Sequence, residues 1–589
     1  MRGKIYYFTN CLFLCCAFIV LTGCGLFEGS SKNKHKKNGK VLPAIFNDKF
    51  THNDFEKTLK KTEAYPDDQK IQNAIKEKNS SLCYKLLSER YSKVIREDLR
   101  FTPDERPQNF MHWERNRDGI PFLVPSPGIY ATSSWKWDLV FTAMITSDMA
   151  ANTNVKNEKE SLYALAEGCM LAVIQNQIPK GYDKGMIPHM NFNDKKDQKF
   201  WGLKHHSSIT QPPITALGVK SLPNKNERMA FYPALTGEIE WWLKQRMDGG
   251  LPYVIHPWET GRDAARDTDS QLISYFDLKK YEIKKVGKYY PMTRDLIGSG
   301  RVKLLNALQK INKMPPSKKA KKLFELRSPD MAAYLIIALR QTADFAVENN
   351  DYKTAVRYRD KADEIVKIVN NKMWDDKTGF YYSLGRKPDK KLIAKSGLDP
   401  KLFIVSDSGQ IMTMVGSAFV TFAAGIPDVE QAVELLNKLE DKKLFDTIWP
   451  VPMVAINDPG YISDEYWRGS TWLNINYFII QGLVKYGDRF VKEGHVKLAN
   501  RFYKKALELS WKSVSESSVG YYEFFSSNKK GKLGLGAHDF AWSGLILNIV
   551  LNINIIENKL NKFTVSYAVN NQETIKEKEE ENPNAQKSK

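Results

Sequence analysis

The stretch from Ser328 to Phe345, SPDMAAYLIIALRQTADF, decides the fold class. Ser328 stands at an N-cap position and Pro329 at the first helical one, where a missing N–H is no loss and the ring has already set a helical φ. Met331, Tyr334, Leu335, Ala338, Leu339, Thr342 and Phe345 then recur at intervals of three and four, which aligns them on one helical face. A second start follows at Asp428, where Gln431 completes a capping-box pattern and Val429, Ala432, Leu436 and Leu439 share a face. The same periodicity predicts helices near 80–97, 138–150, 158–176, 227–247, 352–373, 409–423, 470–486, 488–516 and 538–556. Strand-like pieces such as Gly379 to Ser383 occur only between them, so no parallel sheet is expected. About eleven helices arranged in pairs fit an all-α toroid of helical hairpins, the (α/α)6 barrel, with loop insertions. A stack of helical repeats is the rival, and the lack of a fixed sequence period argues against it. The Lys-rich segment 276–325, broken by Gly and Pro, reads as an insertion or lid rather than a barrel helix.

The N-terminus reads as an address. Arg2 and Lys4 precede a short apolar run, Cys11 to Val20, too short to span a bilayer comfortably. Leu21-Thr22-Gly23-Cys24 resembles the lipobox of bacterial lipoproteins, which implies a signal peptide over 1–23 and an acylated Cys24 that anchors the chain to a membrane at the cell envelope. Residues 24–45 then form a flexible basic tether, 46–562 the catalytic domain, and 563–589 a polar, disordered tail. Only Cys24, Cys83 and Cys169 survive such cleavage, so no disulfide framework is expected.

The net charge of +20 raises the question of nucleic acid. The basic residues are scattered, however, and the densest run, Lys32 to Lys40, belongs to the tether, so no nucleic-acid partner is expected. No CxxC or HExxH pattern is present. His205 and His206 are chain neighbours that point apart on most backbones, which disfavours a catalytic zinc site. His189 and His256 read as loop hydrogen-bonding residues.

Four loops concentrate aromatic and charged residues: Trp135-Lys136-Trp137-Asp138, His256-Pro257-Trp258-Glu259-Thr260-Gly261-Arg262-Asp263, Tyr466-Trp467-Arg468-Gly469 and Tyr521-Tyr522-Glu523-Phe524. A ring can stack on the apolar face of a sugar while a carboxylate accepts its hydroxyls, so such loops suit a carbohydrate substrate. In order, SSWKWDLVF, GMIPHMNF, Ile209-Thr210-Gln211-Pro212-Pro213, HPWETGRD, YWRGSTWLNINY and EFFSSNKKGKLGLGAHDFAWSGLIL span roughly 130–550. The set resembles glycoside hydrolase family 63 and the allied trehalases, most of all the compact bacterial branch that includes mannosylglycerate hydrolases.

That resemblance implies an inverting α-glycosidase acting on an α-linked glucose or mannose unit. It makes Asp263 the general acid and Glu523 the general base. It places Trp137, Asp138, Gln211, Trp258, Glu259, Arg262, Trp467 and Arg468 at the substrate, and it calls for no cofactor. A structural calcium is compatible with the family, but no Asp-rich loop has the calcium-binding spacing. Such chemistry separates the two carboxyl groups by about 6.5–9.5 Å to admit a water, and it needs the acid's pKa raised, a role for which Glu259 and Asp267 are candidates. Two departures stand out: Ala264-Ala265-Arg266-Asp267-Thr268-Asp269 replaces the usual Ser-containing turn after the acid, and Ser470-Thr471-Trp472 replaces Pro-x-Trp. They keep open a non-catalytic sugar-binding lipoprotein of the same fold. A polysaccharide lyase or a rhamnosidase on an α/α toroid is the other alternative.

Overall fold

A computed structural model describes residues 68–101, 120–128, 130–278, 283–311, 317–528 and 533–562. The expected signal peptide, tether and tail lie outside these residues. The main helices pair in sequence: Lys136–Asn152 with Lys156–Ile174, Pro329–Glu348 with Tyr352–Lys372, and Leu473–Lys492 with Val496–Ser517. The shorter Thr215–Ser221 is followed by Tyr232–Gln245, and Gly416–Ala424 by Val429–Leu439. The first member of each pair packs on the first member of the next, and residues 541–544 return to Lys136–Asn152. This return closes a ring and excludes an open stack of repeats. The last hairpin takes its outer helix from far away in the chain. Ser80–Asp98 lies against 541–562, with Tyr91 Oη donating to the Ala541 carbonyl at 2.7 Å and Ser80 Oγ to Asn554 at 2.6 Å.

Inner helices are apolar nearly all round. Along Lys136–Asn152 almost every residue is buried, as expected for a helix walled on all sides, whereas Tyr352–Lys372 buries one stripe, Ala355, Tyr358, Ala362, Ile365 and Val369. The capping box at Asp428 forms, with Asp428 Oδ1 accepting from the Gln431 N–H at 2.8 Å and Gln431 Oε1 from the Asp428 N–H at 3.0 Å. Ser328 holds the N-cap position without a side-chain cap bond. Asp330 in that first turn instead places a carboxylate at the positive helix end and pairs there with Arg262.

Three expected boundaries move. The segment 409–423 is helical only from Gly416, because Val415 is spent on a bridge to Val454. Gly487 is not a break between two helices: it lies inside Leu473–Lys492, where a Cβ would meet the Tyr503 ring at 2.5 Å, so it lets the two helices approach closely. The break comes at Gly494, φ +79°. The described parts of 276–325 lie outside the ring yet contain an 18-residue helix, Arg294–Ile311, packed on Asp269–Tyr275. Strands are short two-stranded pairs in the connections, among them Tyr522–Phe525 with Gly534–His538, register-shifted between Tyr522 and Phe524. Cys83 and Cys169 are buried and free.

Among the described residues, Asp98, Glu167 and Glu516 bury carboxyl oxygens without a hydrogen-bond partner. Glu167, on Lys156–Ile174, is 4% exposed, and its Oε1 has no hydrogen-bond partner among the described residues. Burial, and then the charge of Glu227, push its pKa from 4.5 up to about 9. A folded pKa above the unfolded one means stability is full below pH 4.5 and is lost as pH rises toward 9. At neutral pH the loss is about 3 kcal/mol, at about 1.4 kcal/mol per unit. Glu167→Gln is therefore expected to raise the urea midpoint, and by more at pH about 8 than at about 5. An equal change at both would place the effect elsewhere.

Candidate active site

At one mouth of the ring the connections line a pocket that opens to solvent. Its walls include Tyr130, Trp135, Trp137, Trp201, Trp258, Tyr466, Trp467 and Trp542, and its polar floor Asp138, Gln211, Asp263 and Glu523. Asp263 and Glu523, 260 positions apart in the chain, thus face the same space. A pocket with aromatic walls and a few convergent polar groups suits a sugar.

Glu523 lies on the Tyr522–Phe525 strand and is 6% exposed. Its Oε1 accepts from Tyr466 Oη at 3.1 Å and Tyr130 Oη at 3.3 Å, and its Oε2 from the Ala537 N–H at 3.2 Å. Burial raises its pKa above the ordinary value, opposed by the Ala537 and Tyr466 bonds and by Arg294, and reinforced by Asp263. The facing strand leaves room for this carboxylate through Gly536, whose φ is +76° and whose missing Cβ would sit 2.6 Å from Glu523 Oε2. Trp542 Nε1 donates to the Glu523 carbonyl at 3.2 Å and fixes the strand from behind.

Asp263 follows the 3-10 turn Pro257–Thr260, which His256 caps by accepting the Trp258 N–H on Nδ1 at 3.2 Å. The other ring nitrogen of His256 meets the Arg301 carbonyl at 3.1 Å, and burial holds this imidazole neutral, its pKa down to about 3. His189 is also neutral, with a pKa near 3 for the same reason, and bonds Ser207 Oγ. Neither histidine is a proton carrier at neutral pH. Asp263 is 18% exposed and 3.6 Å from Arg301 Nη1, a residue the sequence reading did not assign.

Asp138, 5% exposed, sits on the first turn of Lys136–Asn152. Burial, then the charges of Glu523 and Asp263, drive its carboxyl well above the usual carboxylate range. Gln211 Oε1 accepts the Trp137 N–H at 3.1 Å, joining the Gln-Pro-Pro loop to the Trp-Asp pair. Trp137 is wedged by Trp542, at 5.3 Å between ring centroids, and by Trp467, which stacks on Trp472 at 3.7 Å.

Of the expected substrate residues, Trp137, Asp138, Gln211, Trp258 and Trp467 line the cavity with the two catalytic candidates. Glu259, Arg262 and Arg468 do not. Glu259 is fully buried behind the wall, bidentate with Arg246 at 2.7 and 2.9 Å. Arg262 is held between Asp267 and Asp330, and Arg468 grips Asp269 at 2.8 and 3.0 Å. The charges of Glu259 and Asp267 are thereby matched by arginines. The carboxyl groups that interact with Asp263 are Asp138 and Glu523 instead. Tyr130, Arg294 and Arg301 are residues the sequence reading missed, and Tyr466, quoted there within its loop, was given no role. Arg294 and Arg301 stand seven apart on one helix and so share a face, the one available signal, hidden in a Lys-rich segment. Among the described residues no cluster of His, Cys, Asp and Glu is suited to a metal, and no helix is long and apolar enough to cross a membrane.

A ring of six hairpins whose mouth holds paired carboxylates among tryptophans defines a glycosidase. Residues 131–543 match the family described as mannosylglycerate hydrolase MGH1-like glycoside hydrolase domain, and the chain belongs to that family. It is 25% identical over 463 residues to a mannosylglycerate hydrolase of Thermus thermophilus, covering 74% of this chain and 97% of that protein. It is 24% identical over 457 residues to mannosylglycerate hydrolase MGH2 of Selaginella moellendorffii, covering 72% and 80%. Among solved structures, a family 63 mannosylglycerate hydrolase of Thermus thermophilus in complex with Tris and D-glycerate superposes with a TM-score of 0.56 at 21% identity, over 78% of this chain and 99% of that one.

Proposed function

We propose that this glycosidase inverts configuration as it releases a mannose or glucose unit from a small α-glycoside, with Asp263 as acid and Glu523 as base. The observation that carries the reading is the unlike surroundings of carboxylates sharing one cavity. Glu523 is met by donors, two phenols and an amide N–H, which suit a carboxylate that takes a proton from water. Asp263, Asp138 and Glu523 share this space, where burial first and then repulsion among them favour a retained proton, most of all at Asp138. Asp263, the most open of the three, delivers it to the leaving oxygen. Arg301 beside Asp263 puts positive charge where that leaving group departs. This fits an anionic aglycone of the glycerate kind, in keeping with the relatives' names. Leu21 to Cys24 support lipid attachment at the cell envelope.

Proton NMR of the first turnover tests the reading directly. With α-mannosylglycerate and α-glucosylglycerate in a panel that includes trehalose and α-mannobiose, the β-anomer of the free sugar is expected to appear first. An α-anomer appearing first would rule out inversion. Binding without any release across the panel would favour the non-catalytic reading.

A further inference from the structure

The departure at Ala264–Asp269 has a structural counterpart. Asp269 is fully buried, and both of its oxygens are engaged by Arg468, Nη1 at 3.0 Å and Nη2 at 2.8 Å. Arg266 adds a third bond, Nη1 to Asp269 at 3.1 Å, and carries the network on through Nε to Asp458 at 3.0 Å. Gly460 leaves room for this network, since a Cβ there would lie 2.3 Å from Arg266 Nε. Two arginines and two aspartates thus tie the loop that bears Asp263 to the turn 458–469.

That turn touches the base. Tyr466 has φ +37°, a left-handed conformation costly for a tyrosine, and Trp467 also departs from helical angles. The Arg468 N–H closes the turn on the Glu465 carbonyl at 2.7 Å, and Trp472 Nε1 holds the Tyr466 carbonyl at 3.1 Å. In this shape Tyr466 Oη reaches Glu523 at 3.1 Å, and Trp467 forms cavity wall.

We infer that Asp269 is a positioning residue: through the forked grip of Arg468 it holds the Tyr466 turn in its strained form, keeps the Tyr466 hydroxyl on Glu523, and so couples the acid loop to the base. The inference rests on Glu523 being the base. The fork is what makes the link directional, because a bidentate guanidinium–carboxylate pair fixes orientation as well as distance. The charged and titratable groups facing Glu523 in this site are Tyr130, Tyr466, Asp138, Asp263 and Arg294. Of these, Tyr466 is the one whose placement Arg468 controls.

Losing the Tyr466 bond removes a lowering influence on the Glu523 carboxyl, so the acid limb of kcat/KM must move to higher pH. The expected shift is about one unit, the tenfold change that one hydrogen bond to a charged group is worth. Tyr466→Phe and Asp269→Asn are expected to move the limb alike with α-mannosylglycerate as substrate, and the double variant to move it no further. Arg468→Lys, which keeps the charge but not the fork, is expected to do the same and serves where Asp269→Asn does not fold. A crystal structure of either variant gives a readout independent of turnover: a Tyr466–Glu523 separation beyond bonding distance supports the coupling, and an unchanged one overturns it. Additive shifts, or lost stability with an unmoved limb, also overturn it. Full activity in Glu523→Gln would overturn the assignment of the base and this inference with it, whereas an inactive Glu523→Gln beside an unmoved limb in Asp269→Asn removes the coupling alone.

Discussion

Glu523→Gln is expected to lower kcat by about 10²–10⁴-fold and to leave the substrate's affinity near its original value. Gln keeps the shape of the side chain and its carbonyl still accepts from Tyr466 and Tyr130, while the Ala537 N–H loses its acceptor. What disappears is the carboxylate proposed to draw a proton from attacking water. Asp263→Asn is expected to cost as much with a glycerate or sugar leaving group. The two then separate with an activated substrate, a glycosyl fluoride or nitrophenyl glycoside, whose leaving group departs without a proton. Asp263→Asn should recover much of its rate on that substrate and Glu523→Gln should not. Recovery in the opposite variant would exchange the two roles, and full activity in either on a natural glycoside would remove that residue from the mechanism.

The second large effect concerns a residue without a side chain. Gly261, two positions before Asp263, has φ +72°, and a Cβ there would lie 2.4 Å from Cη2 and Cζ2 of Trp137. Trp137 cannot yield, being packed among Phe141, Trp467 and Trp542. Gly261→Ala therefore combines a left-handed backbone penalty of about 1–2 kcal/mol with overpacking of about 1–3 kcal/mol. The expected outcome is a clear loss in the urea midpoint and, in the protein that still folds, a raised KM because Trp137 and the acid loop are forced apart. Gly202→Ala is the control: φ is +64°, but nothing lies within 4 Å of the added methyl, so only the backbone penalty remains. Equal losses in the two variants would mean that the contact with Trp137 is unimportant.

The helical class, the capping box at Asp428 and the proline-led start at Pro329 were legible in the chain because they are local, set by residues within one or two turns of each other. Asp263 and Glu523 were legible through ordered motifs. The motifs did not tell which of their polar members face the substrate. In Trp258-Glu259-Thr260-Gly261-Arg262-Asp263 a tight turn sends successive side chains to different sides, so Trp258 and Asp263 meet the cavity while Glu259 and Arg262 turn inward to Arg246, Asp267 and Asp330. Charges so deeply buried need partners, and those partners lie on other elements that no local pattern identifies. The packing of Ser80–Asp98 on the last hairpin, the phenols of Tyr130 and Tyr466 on Glu523, and the placing of Arg301 beside Asp263 are likewise contacts between distant segments. The sequence by itself determined the helices, and its motifs pointed to two carboxylates that the fold brings to one pocket. The tertiary structure alone decided which neighbours hold those carboxylates, because pKa and orientation depend on groups that meet only when the toroid closes.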